Sequence, residues 1–186
     1  MKRLFIISLL IIVRNGYKRA RLLRRLNYFF KQGDNCFFST HLFGTEPKHI
    51  AFGNNVWVAT RVSFITHDVS VHLVKNYLKD KSLNFDFVGY IKIGNNVFLG
   101  ANTCILPNVN ITNNVIIGAN SIITKSISKS GVYAGTPLRY IKSFDDFCDD
   151  CIQNHTEYPW SNTIKNKTKK ELNLLRFKYI KKYLVE

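Results

Sequence analysis

Long apolar runs are missing from this 186-residue chain. The longest, Leu4 to Val13, falls short of the ~20 residues that a membrane-spanning helix needs. Arg14, Lys18, Arg19, Arg21, Arg24 and Arg25 follow it with no A-x-A cleavage signal, so it reads as a helix packed on its own protein or lying on a membrane face, rather than as an exported leader. Cysteine is scarce. Cys36, Cys104, Cys148 and Cys151 are too few and too scattered for a disulfide framework, and a reducing, cytoplasmic setting is the simpler expectation. Acid is absent from the first 31 residues, which hold nine Lys or Arg, and the whole chain carries a formal charge of +15. Such a charge attracts polyanions without choosing among nucleic acid, an anionic membrane, an anionic glycan or a phosphorylated cofactor. No nucleic-acid motif accompanies the charge, so nucleic acid is not expected as a partner.

What the chain does have is a repeat. From Ile93 it divides into six-residue units beginning at Ile93, Leu99, Ile105, Ile111, Ile117 and Ile123. The fourth position is Asn96, Asn102, Asn108, Asn114 and Asn120, then Ser126. The fifth is small or β-branched throughout. Neither a helix of period 3.6 nor a plain strand of period 2 repeats residue types at i and i+6 around a turn former. A flat-sided coil does: each unit makes a short strand that ends at a corner, with Asn tolerating the left-handed backbone there. Three sides give a turn of eighteen residues, and turns stack at ~4.8 Å. The same grammar appears upstream from Phe52 to Ser63, running into Phe64-Ile65-Thr66-His67.

The corner phase of the two blocks does not match, so an insertion is expected to leave the coil near His67, over residues 68–90. Such insertions commonly carry the binding face of a solenoid. The chain therefore divides into a basic helical segment (1–32), a coil (33–142) and a helical extension (143–186) with an acidic patch at Asp145, Asp146, Asp149 and Asp150. Amphipathic end segments of this kind usually cap a solenoid or pack on a neighbouring subunit. Cys148 and Cys151, even with His155, fall one ligand short of a closed zinc site, and no metal is expected.

Ile93 to Asn102, Ile105-Leu106-Pro107, Val115 to Ser121, Ile123-Thr124-Lys125 and Val132 to Pro137 resemble the hexapeptide-repeat acetyltransferases. These include the galactoside and maltose O-acetyltransferases. Phe64 to Lys75 is similar to members that acetylate capsular or lipopolysaccharide sugars. The resemblance covers about residues 50–142. It implies a left-handed parallel β-helix, a homotrimer with active sites between subunits, acetyl-CoA as donor, a carbohydrate acceptor and no metal. It also assigns His67 as general base, a role suited to a group titrating near working pH. Asp68 is expected to orient the imidazole, with Glu46 as the alternative acid. His72 and Lys75, in the insertion, are candidates for the acceptor site. On the donor side it implies Phe98, Gly100, Ala101, Gly118, Ala119, Thr124, Lys125 and Arg139. The Gly-Ala pairs would leave room for pantetheine and offer it N–H groups, and the cations would hold phosphate. Phe98 stands where several relatives have Trp, and Asn108, Thr112 and Ser126 also depart from the common pattern.

The expected activity is transfer of acetyl to a hydroxyl of a surface polysaccharide or its precursor, in the cytoplasm or at the inner face of an anionic membrane. Within the same fold the alternatives are sugar N-acetylation and serine or xenobiotic O-acetylation. From another class, the coil would be a non-catalytic trimeric scaffold.

Overall fold

The structure is a computed structural model that describes residues 2–80, 82–83, 86–156, 158–161 and 167–184. It is mainly β, and short strands pass from one parallel sheet to the next in fixed order. The first face holds β1 (Lys31–Gln32), β3 (Ile50–Phe52), β8 (Ile91–Ile93) and β11 (Val109–Ile111). The second holds β2 (Phe37–Phe38), β4 (Val56–Val58), β9 (Val97–Leu99), β12 (Val115–Ile117) and β14 (Gly131–Ala134), with antiparallel β15 (Arg139–Lys142) closing its edge. The third holds β5 (Ser63–Phe64), β10 (Cys104–Ile105) and β13 (Ile122–Ile123). Val97 pairs with Val115 and Cys104 with Ile122, the eighteen-residue return that the repeat implies. This is the topology of a three-sided solenoid.

Local chemistry explains each turn. The first and fifth positions of the units from Ile93 to Ser128 are all buried: Ile93, Leu99, Ile105, Ile111, Ile117 and Ile123 with Val97, Thr103, Val109, Val115, Ser121 and Ile127. Between them Asn96, Asn102, Asn108, Asn114 and Asn120 take positive φ, as do Asn55 and Arg61 upstream. Most residues find that conformation costly, and Asn least so among those with a side chain. The corner amides also bond from turn to turn. Asn35 Nδ2 donates to Asn55 Oδ1 at 3.1 Å, Asn55 to Asn96 at 3.0 Å and Asn96 to Asn114 at 2.9 Å. At the next corner Arg61 Nε donates to Asn102 Oδ1, and Asn102 Nδ2 to Asn120 Oδ1.

The wide end of the coil is filled by Phe29, Phe38, Phe43, Phe52 and Phe64, with ring centroids 4.8–6.4 Å apart in mostly edge-on pairs among themselves and with Tyr28. Edge-to-face contacts stabilise such a cluster beyond the area it buries. Helices α1 (Lys2–Ile12) and α2 (Gly16–Arg25) pack on this end through Leu10, Ala20 and Leu23, which join the same core. Arg19 fixes them there. Its buried guanidinium donates to the carbonyls of Leu10, Val13, Phe38 and Ser39, satisfying the orphan C=O groups at the end of α1. Among the described residues, no helix is long and apolar enough to cross a membrane.

Contacts group residues 1–144 as one unit and Asp145–Glu186 as a second. The second contains most of α4 (Phe144–Thr156) and all of α5 (Lys169–Leu184). Thr168 and Glu171 form a reciprocal capping box at the start of α5, and Trp160 packs edge-on against Tyr179.

Asn96 tests the corner argument, because its side chain and its backbone can be separated. Replacing Asn96 with Ala removes both ladder bonds and leaves an ordinary residue at φ +54°. The expected cost is about 1–2 kcal/mol in denaturant unfolding. Asn96→Gly should recover part of it, since Gly takes that backbone freely. Equal losses for Ala and Gly would mean that the corner conformation carries no energy.

Candidate active site

The insertion departs from the corner between the third and first faces. Ala51 pairs with Lys92, a step of 41 residues where the next turn, Lys92 to Asn110, steps by eighteen, so 23 residues leave and return. The neck closes where Gly89 N–H donates to Thr66 O at 2.7 Å. Just outside it, β6 (His67–Asp68) pairs antiparallel with β7 (Phe87–Val88), and α3 (Val71–Tyr77) lies beyond. His67 therefore sits in an extended strand and not at a left-handed corner. The corner chemistry stops at the turn before it, because the chain here pairs with its own return strand.

Glu46 reaches His67 from the loop between β2 and β3. One carboxylate oxygen, Oε1, lies 3.4 Å from His67 Nδ1. The other, Oε2, accepts from the hydroxyl of Thr66 at 2.7 Å and from that of Thr45. Thr66 is buried, so the anchor is rigid. Gly44 makes the approach possible: its φ is +66°, and a Cβ there would stand 2.4 Å from Phe64 O. A side chain at that position would push the loop off Thr66 and away from the imidazole. On the far side, His67 Nε2 lies 2.6 Å from Asp86 Oδ1. A ring that keeps both contacts donates from both nitrogens; one that accepts a proton at Nε2 must first release Asp86.

Asp68 is placed differently from its expected orienting role. Its carboxylate accepts from Ser70 N–H at 2.9 Å, an Asx turn that opens the insertion. That bond is the main reason its carboxyl lies below the usual range, and the charge of His67 adds least. Between the two acids, the imidazole contact belongs to Glu46. Nothing in the local sequence marks Asp86. It reaches the ring only because Val88 pairs with His67. His72 is exposed and Lys75 half-buried on α3, whose one fully buried residue is Val71.

The expected donor-side residues fall in three places. Phe98 stands on the outer surface of the second face, with Trp57 above it and Ile116 below in register. Trp57 stacks on Phe37 at 4.8 Å and was not singled out by the repeat. Gly100-Ala101 and Gly118-Ala119 lie at the corner between the second and third faces. The N–H groups of both glycines already donate within the coil, Gly100 to Ile117 O and Gly118 to Tyr133 O. A Cβ on Gly100 would stand 2.5 Å from Ala119 N, so close stacking of the turns alone requires that glycine. Neither glycine therefore offers its N–H to pantetheine; Ala101 and Ala119 are the outer members of each pair.

Thr124 and Lys125 lie at the corner between the third and first faces, below Ile65-Thr66 and Leu106-Pro107 in the stacking order set by Phe64, Ile105 and Ile123. They share an edge of the coil with His67. They also line a cleft of about 420 Å³ with Lys129, Tyr133, Pro137 and Tyr140. Lys129 Nζ stands 4.3 Å above the ring of Tyr140. Arg139 is exposed on β15. Thus one chain brings Thr124 and Lys125 to the edge that carries His67, whereas the Gly-Ala corner lies across the third face. Cys104 stands on that face between Ser63 and Ile122, its thiol pushed up by burial and with nothing to activate it. Among the described residues, no group of three His, Cys, Asp or Glu is arranged to hold a metal ion.

A family model described as bacterial transferase hexapeptide (six repeats) matches residues 90–125. Protein CapG of Staphylococcus aureus is 42% identical over 125 residues, which cover 66% of this chain and 70% of that protein. Galactoside O-acetyltransferase of Escherichia coli (strain K12) is 36% identical over 114 residues, 61% of this chain and 54% of that one. Among solved structures, a maltose O-acetyltransferase from Clostridium difficile 630 superimposes with a TM-score of 0.51 at 26% identity, covering 68% of this chain and 74% of that one. A galactoside acetyltransferase in complex with coenzyme A gives 0.50 at 27% identity, covering 71% and 72%.

The carboxyl of Glu46 supplies a pH test. Partial burial pushes it up, but hydrogen bonds from Thr45 and Thr66 and the adjacent His67 outweigh that, leaving it below its ordinary value. A carboxyl depressed in the folded state contributes stability that is present above its unfolded value, about 4.3, and is lost as the pH falls below it. Thermal unfolding between pH 6 and 3 should show a steeper acid loss in the wild type than in Glu46→Gln. Parallel curves would show that these contacts do not favour the ionised form.

Proposed function

The chain belongs to the hexapeptide-repeat acetyltransferases, and on that footing we propose that it moves an acetyl group from acetyl-CoA to a sugar hydroxyl of a surface polysaccharide or its precursor, with His67 as general base. The observation that carries this reading is the imidazole at the neck of the 23-residue insertion in the repeat, with a built carboxylate behind it. Glu46, anchored by Thr45 and Thr66, faces Nδ1 and so leaves Nε2 as the nitrogen that meets an acceptor. An acceptor hydroxyl entering in place of Asp86 gives up its proton to Nε2 as its oxygen adds to the thioester carbonyl; the C–S bond then breaks, and the ring returns the proton to the departing CoA sulfur. Glu46 stabilises the charged ring in between, which is the orienting role of the acid in a histidine dyad. Asp86, with its side chain 64% exposed, is free to turn out to water.

Acetyl-CoA supplies the acetyl as an activated thioester. The residues present suit it. Lys125 and Lys129 edge a cleft of the right chemistry for phosphate, with Arg139 exposed nearby, and small outward residues, Ser63 and Cys104, line the face between that edge and the Gly-Ala corner. A left-handed winding and a homotrimer complete the proposal. The Gly-Ala pairs lie a face away from His67 within one chain, and a neighbouring copy brings such a corner to it. The outward row of the exposed Trp57 and Phe98 and the half-buried Ile116 offers apolar surface for that assembly. At the other end, Phe5, Ile11 and Ile12 are exposed on α1 beside the basic α2, which supports residence at the inner face of an anionic membrane.

His67→Ala should lower kcat by about 10²–10⁴, the contribution of a positioned base. Affinity for CoA, measured by titration calorimetry, should stay as it was. Glu46→Gln should cost more turnover than Asp68→Asn, because of these two acids it is Glu46 that contacts the ring. Near-normal turnover in His67→Ala would remove the mechanism, and a larger loss in Asp68→Asn would reassign the orienting acid.

A further inference from the structure

The outer surface of the first face differs from the other two. Its outward row is Lys31, Ala51, Lys92 and Asn110, in register across four strands. A cleft of about 590 Å³ opens on it, lined chiefly by Phe30, Lys48, Ala51, Val88, Tyr90 and Lys92. A second, of about 520 Å³, continues past Lys92 to Asn110, Thr112 and Ser126. Each falls in the ~300–1,000 Å³ range of ligand clefts, and Lys92 borders both. Phe30 and Tyr90 are 78% and 47% exposed, with the small Ala51 on the floor near them. Tyr90 is held in place: its hydroxyl accepts from Asn110 Nδ2 at 3.2 Å.

This surface is tied to His67 by both of its walls. Val88 is the strand partner of His67, and Gly89 closes the neck on Thr66. Lys48 and His49 follow directly after Glu46 in a single helical turn, Pro47–His49. Among the described residues, no acid lines either cleft. The carboxylates nearest in sequence, Glu46 and Asp86, are turned to the imidazole. Lys48 Nζ donates to the carbonyls of Asn27 and Phe29, which hold it at the rim. Lys92 has no ion-pair partner among the described residues.

Exposed aromatic rings suit the flat apolar faces of sugars, two lysines at one cleft without an acid in its lining suit fixed negative charge, and two clefts in line suit a chain more than a monosaccharide. We infer that the first face is the acceptor groove, and that its occupant is an acidic oligosaccharide, a chain bearing uronic-acid carboxylates, with sugar rings on Phe30 and Tyr90 and carboxylates on Lys92 and Lys48. Naming this chain the acceptor rests on the acetyl-transfer reading above, while its binding does not.

The experiment therefore reads binding apart from turnover. The full chain carrying His67→Ala is titrated with hexameric galacturonate, with hyaluronan hexasaccharide and with maltohexaose as the neutral control. At least one acidic chain should bind ten-fold or more tightly than the neutral one, and the preference should shrink at high salt. Adding Lys92→Glu should abolish the preference, and Lys92→Gln should weaken it; Lys92 points outward, so both variants should fold. CoA affinity should not change with either. Equal affinity for acidic and neutral chains, or a preference that survives Lys92→Glu, overturns the proposal. So does a loss of CoA affinity in Lys92→Glu, which would give this face to the donor. If acidic chains bind as expected but the unmutated enzyme acetylates none of them, the groove stands and the acetyl-transfer reading fails instead.

Discussion

Every turn of the coil depends on a backbone conformation that most residues avoid. Seven corners between Asn55 and Asn120 take φ between +54° and +64°, and six of them are Asn. The amide does two things there. It lowers the cost of the left-handed conformation, and it bonds to the amide one turn above or below. Because corners recur at a fixed interval, the same position of successive turns stacks on the same face, and the first and fifth residues of each unit always point inward. The wide aromatic end and the narrower Ile/Val end are two fillings of one frame. Arg61 shows the limit of the rule: it takes a corner at φ +56° and replaces the amide ladder with a guanidinium bond to Asn102.

The insertion tests how rigid that frame is. Twenty-three residues leave the coil, yet Asn54 N–H still finds Asn95 Oδ1 and Asn55 Nδ2 still finds Asn96 Oδ1 across the gap. The bond from Gly89 to Thr66 returns the chain to register within one residue pair. His67 is consequently attached to the stacked coil on one side and to the variable segment on the other. The ring is held by the frame through Glu46 and Thr66, while Asp86, on the returning strand, meets the other ring nitrogen. The two acids reach the imidazole from opposite directions.

The units from Ile93 to Ser128 announce themselves because a repeat is a local signal, read within six residues. The same holds for Phe52 to Ser63, and the phase mismatch between the blocks locates the insertion. Glu46 is harder to see. It lies in a loop with no periodicity, and its partner Thr66 is twenty residues away, a spacing that becomes meaningful once the first turn is known to step by twenty from Phe37 to Trp57. Asp86 is harder still, because its contact depends on an antiparallel pair inside the insertion. Asp68 attracted the orienting role by adjacency in sequence, but a strand neighbour points to the opposite side from the residue before it. Gly100 looked like a cofactor position when its own stacking already explained it.

The repeat constrains the inward positions and the corners, so the chemistry that distinguishes one face from another must lie in the outward ones. Read down the coil, the second face carries Phe37, Trp57, Phe98 and Ile116, the third Ser63, Cys104 and Ile122, and the first Lys31, Ala51, Lys92 and Asn110. One face is aromatic and aliphatic, one carries two small residues and an isoleucine, and one carries the two lysines. A sequence scan in sixes cannot separate them, because it superimposes all three faces; a scan in eighteens, corrected for the insertion, does. Lys92 illustrates the difference. As the second residue of a three-residue strand it is one more exposed lysine in a chain of high positive charge. As the member of its face between Ala51 and Asn110, beside Tyr90 and one wall from His67, it has defined neighbours and no acid among them. The stacking that the asparagines enforce turns scattered outward residues into surfaces, and those surfaces are where the functions of this coil divide.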